Sequence, residues 1–359
     1  MKKVICYFFI LLELLSCTFV YAADTAKSTI VMDMDSGRIL YEKNKDTPLL
    51  IASTTKIMTA VIAIENKNLE DIVTVGDEIL TMYGSNIYLE VGEKITLRDL
   101  LYGLMLRSGN DAAVTIATYV AGDINTFVKM MNDKAKKIGM NNTIFRNPHG
   151  LDDDTENYST AYDMAKLMKY ANNLIEFVEI SGAKKWTVTS NKKSYIWFNR
   201  NKMITDYKYT TGGKTGYTPR AGRTLVTTAS KDNLNLIAVS LNDYNHYKTQ
   251  EELLDYYFSK YKSFLIIDKN NINIQNDNYD ELYVNYSFTY PLTDEEKESI
   301  EKHVTFYNLE GYKDNDVVGE ISIIFNKEEI YKENIYAKKN DNKKTSIFTH
   351  IKNFIHSLL

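Results

Sequence analysis

At 359 residues the chain has room for two domains and for a sizeable core in the larger one. Hydrophobic residues make up 44% and charged residues 25%, and acids and bases are well mixed around a net charge of −4. That balance excludes a basic nucleic-acid surface, and two cysteines are too few for a disulfide scaffold.

Residues 1–22 read as an export signal. Lys2 and Lys3 form a basic start, Val4 to Leu12 is an unbroken apolar run, and Glu13 interrupts it before Leu14 and Leu15. Val20-Tyr21-Ala22 places small residues before a cut after Ala22. The run is too short to span a bilayer. A competing reading makes Leu14-Leu15-Ser16-Cys17 a lipoprotein cut with Cys17 acylated, but apolar residues follow Cys17. Both cysteines, Cys6 and Cys17, fall inside the signal, so the mature chain is expected to have no thiol chemistry. His149, His246, His303, His350 and His356 form no ligand cluster, so neither metal nor cofactor is expected.

Residues 29–41 read as two strands around the turn Asp35-Ser36-Gly37. Residues 53–66 read as a helix that is apolar all round from Ile57 to Ile64, hence a buried one. A second helix is expected from Thr96 to Arg107, with Thr96 and Asp99 at capping-box spacing. Ser108-Gly109-Asn110 breaks it, and the pattern resumes from Asp111 until Gly122. A third helix begins at Thr160, again with an acid three positions on at Asp163. Leu225 to Leu241 alternates as strands, and Glu251 to Phe258 reads as a closing helix. Helices in the middle and strands from both ends predict an α+β domain around one antiparallel sheet.

Beyond Phe264 the pattern changes. Leu282, Val284, Tyr286 and Phe288 alternate with polar residues, as do Ile321, Ile323 and Phe325, with Pro291 and Gly311 between them. This predicts a small β-rich domain. Near the end, Ile347, Phe348, Ile351, Phe354, Ile355 and Leu358 share one helical face, with lysines and histidines off it. This is an amphipathic helix suited to a membrane surface. The expected division is a signal at 1–22, a main domain at 23–262, a β-rich domain at 263–337, and a linker with an anchor helix at 338–359.

Three motifs carry chemistry: Ser53-Thr54-Thr55-Lys56, Ser108-Gly109-Asn110 and Lys214-Thr215-Gly216. Together they describe a serine acyl-transfer site without histidine. Ser53 and Lys56 are three apart at a helix start and share one face. The lysine takes the serine proton only when its amine is neutral. Lowering its value from about 10.4 to 7–8 costs roughly 4 kcal/mol. Burial and a second cation, Lys214, supply that shift. The helix start points N–H groups at an oxyanion over Ser53. Ser108 suits proton relay to a leaving amine, and Asn110 suits holding a substrate amide or the Lys56 amine. Lys214-Thr215-Gly216 reads as an edge strand whose glycine leaves space for a substrate backbone. Lys214 and Thr215 suit a carboxylate. A phosphate-loop reading of Gly213-Lys214-Thr215 fails, because Lys208 stands where that loop needs glycine. His149, between Pro148 and Gly150, reads as a loop-fixing residue.

On Ala52 to Thr59, Ser108 to Ala113, Asn147-Pro148-His149-Gly150-Leu151 and Gly213 to Thr218, the chain resembles the low-molecular-weight penicillin-binding proteins that are D-alanyl-D-alanine carboxypeptidases. The resemblance covers roughly residues 27–262 and extends to the second domain, with Val318-Gly319-Glu320 opening its last strands. It implies the helix-and-sheet fold of serine β-lactamases. It also implies Ser53 as the residue acylated by a peptidoglycan stem peptide, Lys56 as proton acceptor, and Ser108 and Asn110 as assisting. Lys214 would bind the terminal carboxylate, the N–H groups of Ser53 and Tyr217 would form the oxyanion hole, and penicillins would acylate Ser53. Pro219 and Arg220 depart from the family pattern at the rim. The implied setting is the outer face of the cytoplasmic membrane, with the chain peripheral through its terminal helix.

Two other functions compete. A β-lactamase shares the motifs but commonly needs a glutamate-held water. Glu156 is available, but Thr160 stands where an asparagine would follow it. A β-lactam sensor would need signalling segments across a membrane, which are not found here, while a wall-binding or pedestal role for the small β-rich domain stays open.

Overall fold

A computed structural model describes residues 24–307, 309 and 311–339. The export signal and the amphipathic stretch at 343–359 lie outside the described residues. The chain divides into two compact units, the described residues up to Lys231 with Asn235–Phe258, and Asp232–Leu234 with the described residues from Ser259 on.

The first unit is built on a five-stranded sheet. Strand β1 (Ser28–Asp33) pairs antiparallel with β2 (Ile39–Lys43). The other strands are β3 (Thr210–Thr218), β4 (Gly222–Lys231) and β5 (Leu234–Leu241), and the sheet order is β2-β1-β5-β4-β3. Asp232 and Asn233 join β4 to β5, both with positive φ, as a tight hairpin turn requires. The register Ser28↔Leu241 ties the two ends of the unit together. As expected from the sequence, the strand carrying Lys214 is an edge of the sheet.

Helix α1 (Lys56–Asn66) is buried from Lys56 to Ala63 and is the hub of the helical layer. Around it pack α2 (Leu97–Leu106), α3 (Asn110–Ala121), α4 (Ile124–Lys137), α5 (Ala161–Ala171) and α6 (Ile175–Gly182). Both anticipated caps form. Thr96 Oγ1 accepts from the Asp99 N–H, and Thr160 Oγ1 accepts from the Asp163 N–H, each at 3.0 Å. Gly122 ends α3 with φ 85°. The helix expected from residue 53 starts instead as a tight 3₁₀ turn, Ala52–Thr55, before α1. The closing helix, α7 (His246–Lys260), begins five residues earlier than its apolar pattern suggested.

The second unit is β-rich. Strand β6 (Lys262–Ile267) pairs with β8 (Phe288–Leu292). A separate four-stranded sheet runs in the order β7 (Glu281–Tyr283), β11 (Glu328–Lys338), β10 (Val317–Phe325), β9 (Ile300–Phe306). Its core includes Val284, Leu292, Ile321, Ile323 and Phe325. The alternation from Leu282 to Phe288 spans two strands of different sheets, and Tyr286 between them is 67% exposed. Pro291 lies within β8, not between strands.

Candidate active site

Ser53 sits in the turn that precedes α1. The turn is stapled by its own hydroxyls: Thr54 Oγ1 donates to the Ile51 carbonyl at 2.6 Å and Thr55 Oγ1 to the Ala52 carbonyl at 2.8 Å. Thr224 of β4 donates to the same Ile51 carbonyl at 3.1 Å and fixes the turn against the sheet. Ala52 holds φ 47°, a conformation that L residues rarely adopt. A Cβ at Gly150 (φ 89°) would collide with the Ala52 carbonyl, so this loop glycine lets the backbone close on the turn.

Lys56 makes three short contacts. Its Nζ lies 3.0 Å from Ser53 Oγ, 2.8 Å from Asn110 Oδ1 and 2.6 Å from the His149 carbonyl. Asn110 presents its oxygen because its Nδ2 is committed to the Tyr83 carbonyl at 2.7 Å. A neutral amine has two N–H donors and one lone pair. Asn110 Oδ1 and the His149 carbonyl are acceptors only, so they take both donors. In that neutral state the lone pair faces the Ser53 hydroxyl, which can then donate to it. Burial, then the neighbouring Lys214 cation, hold the amine well below the usual lysine range, with Asp111 opposing.

Lys214 is also buried, and its amine donates to the Thr215 carbonyl at 2.8 Å. Burial, then the positive charge of Arg200, push it down to about 7. Arg200 sits in the segment before β3 and donates from Nη1 to Ser85 Oγ at 2.9 Å. Ser85 in turn accepts, through its carbonyl, the Asn110 N–H at 2.7 Å. Arg200 belongs to no motif in the sequence; only the fold brings it here.

The other anticipated residues fall as follows. Ser108 is buried with φ 63° between α2 and α3, and it is not among the three partners of the Lys56 amine. A Cβ at Gly216 would stand 2.9 Å from the Ser53 nitrogen, so glycine there keeps the space beside that N–H open. Thr215 is half-buried. Tyr217 is 60% exposed, its ring 5.4 Å from the Arg223 guanidinium. His149 fixes its loop as expected: its Nδ1 accepts the Leu151 N–H at 3.1 Å. Burial, then Lys56, hold that imidazole down at about 3, so it stays neutral. Among the described residues no group of His, Cys, Asp or Glu is arranged to hold a metal.

A family model described as D-alanyl-D-alanine carboxypeptidase matches residues 19–245. The chain belongs to this family. A second model, the C-terminal domain of penicillin-binding protein 5, matches residues 261–343. The D-alanyl-D-alanine carboxypeptidase DacF of Bacillus subtilis is 35% identical over 257 residues, 69% of this chain and 66% of its own. With this and two further curated carboxypeptidases, the chain spans 66%, 61% and 64% of the relative's length. Penicillin-binding protein 5 of Haemophilus influenzae superposes with a TM-score of 0.72 at 26% identity, covering 88% of this chain and 97% of that one. The D-alanyl-D-alanine carboxypeptidase DacD of Francisella tularensis gives 0.68 at 29%, covering 88% and 93%. A mixed helix-and-sheet domain followed by a β-rich domain is therefore the layout this chain shares with solved carboxypeptidase-family structures.

Within this family the rim departure at Pro219-Arg220 has a structural use. Arg220 donates to the Asp152 carbonyl and to Glu156 Oε1, while Thr218 Oγ1 donates to Asp152 Oδ2 at 2.6 Å. The end of β3 is thereby tied to the 147–157 loop. Glu156 also accepts from Tyr158 OH at 2.9 Å, so its carboxylate is engaged on both oxygens.

Proposed function

We propose that the protein is a serine-type D-alanyl-D-alanine carboxypeptidase acting on peptidoglycan stem pentapeptides, with Ser53, Lys56, Ser108 and Asn110 as its catalytic residues. The observation that carries this reading is the Lys56 amine, whose two acceptor partners leave its lone pair for Ser53. Ser53 Oγ attacks the carbonyl carbon of the penultimate D-alanine and its proton passes to Lys56. The oxyanion faces the Ser53 N–H, beside Gly216, and the Tyr217 N–H. Lys214, with Arg200 behind it and Thr215 beside it, receives the terminal carboxylate, whose charge draws the Lys214 amine back to ammonium. The Lys56 proton then reaches the leaving D-alanine nitrogen, with Ser108 as relay, and water releases the acyl group from Ser53. Penicillins enter by the same attack. Incubating the chain with a stem pentapeptide should release one D-alanine by mass; a mass that never changes would refute the assignment.

A β-lactamase reading is weaker, because the Glu156 carboxylate is held by Arg220 and Tyr158. Slow release of bound penicillin fits the carboxypeptidase, and rapid turnover would reverse that preference.

We further infer export and peripheral attachment at the outer face of the cytoplasmic membrane. The signal-like residues 1–22 and the amphipathic pattern at 343–359 support this. Deleting 343–359 should release the chain from membranes while its activity on a soluble peptide persists. Continued membrane binding would exclude the tail as the anchor.

A further inference from the structure

One of the two acceptors that orient the Lys56 amine is not a side chain. It is the His149 carbonyl, on the loop from Asn147 to Asn157. The direction of the lysine lone pair therefore depends on whatever fixes that loop. Three connections do so. Thr59, one turn along α1 from Lys56, donates from Oγ1 to the Pro148 carbonyl at 2.6 Å. The Asn147 side chain accepts the Gly150 N–H at 2.6 Å and donates to the Leu151 carbonyl at 2.9 Å, so it shapes the loop from inside.

The third connection comes from Asn157. Its Oδ1 accepts the Arg146 N–H at 2.7 Å and the Asn147 N–H at 3.2 Å. Its Nδ2 donates to the Asn147 carbonyl at 3.0 Å and to Thr55 Oγ1 at 3.0 Å. Thr55 is the residue immediately before Lys56. Asn157 is 2% exposed and both ends of its amide are engaged. It joins the start of the loop to the turn that carries the nucleophile, at the point where the lysine begins. It lies in none of the sequence motifs.

We propose that Asn157 is a positioning residue for proton transfer from Ser53 to Lys56, acting through the backbone of residues 147–149. This rests on the reading of Lys56 as proton acceptor. With the clasp intact, the His149 carbonyl and Asn110 consume both amine donors. Without it the carbonyl drifts and the lone pair loses its direction. Water also reaches the amine. The charged groups around Lys56 remain: Lys214 from β3 and Asp111 from α3, with His149 neutral. The variants leave those groups unaltered, so readmitted water alone raises the amine's value.

The test is the acylation rate constant per titrated active site with a fluorescent penicillin, followed from roughly pH 5 to 10. Asn157→Ala and Thr59→Val, which cut two independent ties to the same loop, should each lower that constant by about 10- to 100-fold. The acid limb of each profile should move to higher pH. Thr59→Ser, which keeps the hydroxyl, should restore both rate and profile. If Asn157→Ala does not fold, the Thr59 pair decides. Rate constants within twofold of the wild type in the folded variants would overturn the positioning role, and so would slower acylation with an unmoved acid limb. Failure of the wild type itself to be acylated would remove the parent reading instead.

Discussion

In the first unit Lys56, Lys214, Asn110, Asn147 and Asn157 are all buried around the Ser53 turn. In the second unit the buried polar side chains among the described residues are Thr293 and Ser322. Its charges pair at the surface instead, as in Lys332–Glu320 and Lys262–Asp294, both at 2.7 Å. Burying an amine opposes folding unless the fold gives it partners or strips its proton. The first unit carries that cost at the site where the proposed mechanism needs a neutral lysine. The described residues of the second bury no lysine, and its inward positions are filled by Ile, Val, Phe, Leu, Tyr and Ala.

Four changes would break or sharpen this contrast. The largest is Ser53→Ala, which should abolish penicillin labelling and slow peptide release by at least roughly three orders of magnitude; retained labelling would contradict the nucleophile assignment. Next is Ile323→Ala, in the core of the second unit, expected to cost about 2–5 kcal/mol in that unit's unfolding. Penicillin labelling of the first unit should survive it, and a parallel loss would mean that the two units unfold as one.

Lys214→Met should act in the opposite sense on stability. The folded value of about 7 lies below the ordinary 10.5, so between them the unfolded chain holds more protons and stability rises with pH. The methionine variant should be more stable by about 1–3 kcal/mol near pH 7. That gain should shrink as pH rises towards 10, while peptide release is lost. Thermal denaturation at several pH values checks this, and a gain that does not vary with pH would show that the lysine proton is not its source. The smallest effect is Lys332→Ala, which breaks a surface pair and should change stability by less than about 1 kcal/mol. A larger loss, read by urea denaturation, would place unexpected structural weight on the surface of the second unit.

Much of this molecule was legible before the structure. The Thr96 and Thr160 caps are local hydrogen bonds with a fixed spacing, so sequence carries them. The edge position of Lys214 follows from a sheet that collects strands from both ends of the domain. The failures are equally physical. Alternation from Leu282 to Phe288 marks Val284 and Phe288 as inward but misses that the chain changes sheets between them, which leaves Tyr286 exposed. Arg200 and Asn157 surround the site without a motif, and Thr59 closes a matching stretch without a role of its own, because they work through backbone carbonyls and charge at a distance. Ser108 is recognisable as a motif residue, yet its left-handed backbone is a property of the break between α2 and α3 that no spacing reveals.

The pairing of β1 with β5 also bears on how the site comes into being. Strands β1 and β2 meet through a short turn, as do β4 and β5, so each hairpin closes a small loop. Joining Ser28 to Leu241 closes the longest loop in the unit and carries the largest entropy cost of any strand pairing there. A ribosome delivers β1 long before its partner exists. The Ser53 turn follows β2 and is held to β4 by Thr224, so Ser53 and the strand that carries Lys214 meet only after nearly the whole unit has been synthesised. On the proposed function, acylation by penicillin would report completed long-range topology, which a truncated or half-folded chain lacks.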